Sequence, residues 1–176
     1  MTGRLSRAYG QLLAALALLG CGVMFAMMLV IVGDVALRNI AIPGLPRGLD
    51  WSNEVSETML YLTTVLVAPW LLRRGQHIRV DIVLIALPPR LAWSLEWVGD
   101  AIGLACCLFM TWYGAWATWA SWTSGSLNIK TLVTPEWWSL APLPATFLLL
   151  SIEMVFRMRR LYEGERAPRQ DAVSAA

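Results

Sequence analysis

Histidine occurs once in this chain, at position 77, and cysteine three times, at 21, 106 and 107. One histidine cannot supply both axial ligands of a haem, so bis-histidine ligation, common in four-helix membrane cytochromes, is excluded within the chain. The cysteines form no CxxC and no even set, which indicates neither a disulfide framework nor a zinc site. Small polarizable packing residues are their expected use. P-loop, HExxH and GxSxG motifs are missing, as is any cluster at metal-ligand spacing. No Gly/Pro-broken pair of half-helices marks a substrate site at mid-membrane depth. The expectation is a chain that is not an enzyme and holds no catalytic residue, substrate site, metal or cofactor of its own. Charge is scarce as well: 15% of residues are charged and the net is +2, which gives nucleic acid nothing to bind.

What is abundant is apolar surface. Of 176 residues, 57% are hydrophobic, and mean hydropathy is +0.57, more than a soluble domain of this size can bury. Ten tryptophans add the residue type that favours membrane–water boundaries. The fold class expected is an all-α integral membrane protein, with one domain over residues 1–165 and a small, polar, disordered tail at 166–176.

Four spans are legible, at about residues 12–32, 52–72, 101–122 and 137–156. The first and third carry no charge, and twenty residues at 1.5 Å each cover the roughly 30 Å of hydrocarbon. Arginine and lysine are distributed unevenly around them. Eleven (Arg4, Arg7, Arg73, Arg74, Arg79, Arg90, Arg157, Arg159, Arg160, Arg166, Arg169) flank one side, and only Arg38, Arg47 and Lys130 flank the other. The positive-inside rule then places both termini in the cytoplasm. The stretch LLGC at 18–21 looks like a lipoprotein cleavage box, but a further mostly apolar run follows Cys21. Residues 1–32 therefore read as a retained anchor.

Between spans two and three lies a basic elbow, residues 73–100. Arg73, Arg74, His77 and Arg79 sit at headgroup level, where anionic lipid favours each positive charge by about 1 kcal/mol. Asp81 is placed to cap a short helix whose Val80, Val83, Leu84 and Leu87 share a face. Such a helix lies in the interface rather than crossing it, and Pro88-Pro89 ends it. Leu91, Leu95 and Val98 continue the pattern as a second interfacial stretch.

Inside the spans, Glu54, Glu57, Tyr61 and Thr64 recur at helical spacing and form a polar stripe, with Trp51 one turn before Glu54. Two readings stand: a proton or cation site, or a helix-start cap and packing face, where the macrodipole and headgroup water make carboxylates inexpensive. Asp34–Arg38 and Glu153–Arg157 are expected i,i+4 ion pairs. Trp112, Trp116, Trp119 and Trp122, with Trp137 and Trp138, read as an outer interfacial belt or as a packing surface for a partner helix. Gly10, Ala14, Ala17 and Cys21 make a small-residue row on helix one, suited to close helix approach.

Residues 49–90, LDWSNEVSETMLYLTTVLVAPWLLRRGQHIRVDIVLIALPPR, resemble the small membrane subunit of tripartite ATP-independent periplasmic (TRAP) transporters. The resemblance rests on an arginine after span one (Arg38), a W-x-x-E start to span two (Trp51, Glu54), and a basic elbow ending in L-P. The elbow's matching positions are Arg73, Gly75, His77, Ile78, Val80, Asp81, Leu87 and Pro88. Where the family often has paired acids before span two, this chain has Asn53-Glu54 and Glu57. The resemblance implies a multi-pass protein of the bacterial inner membrane that packs on a large permease subunit. That partner would carry the substrate and sodium sites, and a periplasmic binding protein would deliver an organic acid. Trp51, Glu54, Glu57, Tyr61 and Thr64 become a candidate face for the partner; lipids are the other expected contact. A rival from the carboxylates alone is a self-contained proton-coupled exporter, a homodimer titrating at Glu57 or Asp100.

Overall fold

The computed structural model describes residues 2–40, 47–75 and 88–163, with the side chains of 2–5, 89, 90 and 163 left aside. Five helices and one hairpin make up these residues: α1 (Thr2–Asn39), α2 (Ser52–Arg73), α3 (Pro89–Ser124), β1 (Leu127–Ile129), β2 (Val133–Pro135), α4 (Glu136–Leu140) and α5 (Pro142–Glu163). Four helical stretches, Ser6–Asn39, Ser52–Arg73, Leu91–Ser124 and Glu136–Tyr162, are long and apolar enough to cross a membrane.

α1 and α3 exceed the spans read from hydropathy. At 38 and 36 residues they extend over 50 Å, against a hydrocarbon core of about 30 Å. Residues 89–100, expected as part of an interfacial elbow, form the first three turns of the continuous helix α3. Pro89 at its first turn needs no N–H partner, so the helix starts there without penalty. The short helix expected at 80–87, with His77, Arg79 and Asp81, lies outside the described residues.

The long helices pack mainly in a row, with α1 also reaching α5 near its start through Tyr9. α1 packs along α2, α2 along α5, and α5 along α3. Among the described apolar residues only Leu13, Ala17, Gly20, Pro69, Leu72, Ala92, Cys107, Leu150 and Leu161 are buried. Small residues let each neighbouring pair approach. On α1 the seam runs through Gly10, Leu13, Ala17 and Gly20, where a Cβ on Gly20 would stand 2.7 Å from Val67 Cγ2. Ala14 and Cys21 of the expected row lie exposed beside it. On α3 a matching seam of Gly103, Cys107 and Gly114 faces α5. Cβ atoms built on Gly103 and Gly114 would meet Met154 Cε at 2.8 Å and Leu143 Cδ2 at 3.3 Å. Spacings of three and four residues keep each seam on one helix face.

Pro69 sits buried inside α2. Proline has no N–H, so the carbonyl one turn back, at Val65, loses its helical donor. Thr146 of α5 makes up that loss: its hydroxyl lies 3.2 Å from Val65 O and 3.0 Å from Pro142 O, and donates to the pair. A break in one helix thus becomes a tie to the next.

Candidate functional site

Strong polar contacts gather at the two ends of this row. At the end holding the start of α1, Glu153 of α5 is fully buried and receives two arginines. Arg73 Nη1 lies 3.2 Å from Oε2, and Arg160 Nη2 lies 2.5 Å from Oε1. Arg73 also donates through Nη2 to Ser6 O at 2.8 Å, with its guanidinium carbon 5.8 Å from the centre of the Tyr9 ring. Tyr9 donates to Leu149 O at 2.7 Å. One arginine therefore joins α1, α2 and α5. Beside this cluster Arg157 Nε meets Asp100 Oδ1 of α3 at 3.0 Å.

These contacts revise two expectations. Glu153 does not take Arg157 as its i,i+4 partner; Arg157 reaches across to α3, and Glu153 is held by Arg73 and Arg160. The reason is competition: Arg73 and Arg160 occupy both oxygens of Glu153, while Asp100 of α3 stands within reach of Arg157. Arg73, expected at the headgroups, turns inward, whereas its neighbour Arg74 is exposed and lies over Trp70, 4.8 Å from the ring centre.

At the opposite end the hairpin organises the site. β1 and β2 pair antiparallel, Asn128 opposite Thr134, and their connecting residues dock on the first turns of α2. Glu54 accepts hydrogen bonds from the backbone N–H of Thr131 (2.5 Å) and Leu132 (2.9 Å). Lys130 Nζ reaches Glu57 Oε2 at 2.8 Å, and that bond raises the ammonium above the ordinary lysine range. Glu136 accepts from the Ser121 hydroxyl at 3.2 Å. Asp34 near the end of α1 accepts from Arg38 Nε (2.8 Å) and from Leu49 N–H (2.6 Å), tying the end of α1 to the approach to α2. The i,i+4 pair read from the sequence is thus present, and it carries a loop contact that spacing alone does not reveal.

Of the polar stripe on α2, the structure assigns the two carboxylates to the hairpin. The Tyr61 hydroxyl is buried with no partner among the described residues. Thr64 turns back on its own helix, donating to Leu60 O at 3.0 Å, and Trp51 is exposed next to the buried Ser52. A cleft of about 570 Å³ opens between this stretch of α2, the hairpin and the start of α5.

Trp112, Trp116, Trp119 and Trp122 all project from α3, each more than half exposed. Trp122 meets Trp137 edge-on at 4.7 Å, and Trp137 meets Trp138 at 6.0 Å. The ten residues from Trp112 to Trp122 cover about 15 Å of helix axis, whereas each headgroup layer is only about 5–8 Å thick. Trp122, Trp137 and Trp138 thus lie together, with Trp112 about 15 Å away along α3.

Among the described residues no group of three or more histidine, cysteine or acidic side chains is placed to hold a metal ion. No curated protein matches the chain. The family model for tripartite ATP-independent periplasmic transporters, DctQ component, matches residues 27–164.

Proposed function

The chain belongs to the DctQ component family of tripartite ATP-independent periplasmic transporters, and we propose that it is the fixed scaffold on which the large permease subunit is held. The observation that carries this reading is the open row of helices. Four membrane-length helices bury few apolar side chains among the described residues and leave broad apolar faces on α1 and α3. Lipid covers such faces, and so does another membrane subunit. One end is stapled by ion pairs that join neighbouring helices and the other by contacts of the hairpin with α2, which suits a part that stays rigid while its partner moves.

In this reading the substrate and sodium sites belong to the large subunit. A binding protein outside the membrane delivers an organic acid, and both termini of this chain face the cytoplasm of a bacterial inner membrane. Trp112, about 15 Å along α3 from Trp122, is assigned to the partner-facing surface. Glu57 and Asp100, the carboxylates on which a self-contained exporter would depend, are each ion-paired at an end of the row. That placement favours the scaffold.

The test is a pull-down of the tagged full chain from detergent-solubilised membranes of its native host, with the co-purifying proteins identified by mass. A stoichiometric large multi-span permease is the expected result. A clean homodimer with no other protein refutes the scaffold and returns attention to the carboxylates.

A further inference from the structure

The cleft at the hairpin end changes character with depth. Its mouth carries Glu57 and Lys130, opposite charges 2.8 Å apart. Tyr61 follows one turn down α2, about 6 Å further along the axis, and Met59, Leu62 and Leu143 make the inner wall apolar. Glu54 is committed elsewhere: both its oxygens accept backbone N–H groups of the hairpin connection, so it builds the mouth rather than offering itself to a ligand. Tyr61 lines the cleft through its ring, and its hydroxyl is buried away from solvent with no partner among the described residues.

We infer that the cleft binds one phospholipid with an ammonium-bearing headgroup. The phosphate rests on Lys130, the ammonium on Glu57, and an acyl chain lies over the Tyr61 ring, Met59, Leu62 and Leu143. Charge complementarity selects this occupant: two adjacent opposite charges are the mirror of a zwitterion. The order of charge at the mouth, then hydrocarbon, follows the order of groups along a glycerophospholipid. The Lys130–Glu57 pair is exposed and contributes little by itself, so each member exchanges partners with small loss. A bound lipid here fills the gap between α2 and α5 and locks the hairpin. This inference does not depend on the identity of the protein partner.

The full chain, purified in detergent and delipidated, is titrated with phosphatidylethanolamine and with phosphatidylglycerol of the same acyl chains, and bound lipid is counted by native mass spectrometry. One phosphatidylethanolamine is expected to be retained, with about a fivefold preference over phosphatidylglycerol, as one exposed charge contact provides. Glu57→Gln removes the preference but not binding, and Leu143→Trp, filling the cleft, abolishes the tightly held lipid. Met59→Trp serves the same purpose should Leu143→Trp not fold. Equal retention of the two lipids by the unmodified chain, or a retained lipid in both filled variants, overturns the inference. So does a photo-crosslinker at position 59 that captures a protein instead of a lipid in the complex isolated from native membranes.

Discussion

Arg73 and Glu153 stand 80 positions apart in the chain, and their side chains meet at 3.2 Å around a carboxylate with no solvent exposure. The two members are not equivalent. Glu153 is sealed, whereas Arg73 retains some exposure and Arg160 about half of its own.

Arg73→Gln is therefore expected to cost more than Glu153→Gln. Losing the arginine leaves a buried carboxylate with one exposed partner, a loss of about 2–4 kcal/mol. Losing the carboxylate frees two arginines whose long side chains reach headgroup water. Reversible unfolding of the purified chain in mixed micelles gives both values; equal losses would show that Glu153 is already adequately held by Arg160.

The tie between Thr146 and Val65 predicts a thermodynamic cycle. Thr146→Val removes the hydroxyl that serves the carbonyl left without a donor by Pro69, at a cost of about 0.6–1.7 kcal/mol, the range for hydrogen bonds between membrane helices. In a Pro69→Ala background the helix supplies its own N–H, and Thr146→Val becomes nearly neutral. A double-mutant cycle with no coupling would separate the hydroxyl from the proline.

Gly20 and Gly22 are two residues apart and face different surroundings. A Cβ at Gly20 would press on Val67, whereas one at Gly22 meets nothing within 4 Å. Gly20→Leu is expected to part α1 from α2 at a cost of about 1–3 kcal/mol, and Gly22→Leu to stay within about 0.5 kcal/mol. A large effect at Gly22 in the native complex, with none in the isolated chain, would place the partner on that face.

The tryptophans of α3 make a depth ruler. In single-tryptophan variants of the isolated chain, lipids brominated along the tails are expected to quench Trp112 more than Trp122, because about 15 Å of helix separates them. In the native complex the Trp112 signal is expected to become protected, and equal quenching in both states would leave that surface to lipid.

Several features were legible before any coordinates. Four apolar runs, each long enough to cross hydrocarbon, need only length and hydropathy to be found, and the family was readable from residues 49–90, since W-x-x-E and the basic elbow are local patterns. The Asp34–Arg38 pair was legible for the same reason: i and i+4 are neighbours on any helix. Glu153–Arg157 has the same spacing and was misread, because burial against two other helices gave each member a better partner. The α3 seam left a trace in Gly103, Cys107 and Gly114, a small-residue row as clear as the one on α1, and the hairpin left one in Gly125, which closes α3 in the left-handed conformation.

Hydrophobicity along the chain thus determined that this protein is made of membrane-length helices, since the bilayer acts on each segment separately. Only the tertiary structure decided that these helices form a row, that Arg73 turns inward to Glu153, and that Glu54 and Glu57 serve the hairpin. Those outcomes depend on which residues distant in sequence compete for the same buried carboxylate, orphaned carbonyl or backbone N–H, and that competition is settled in space.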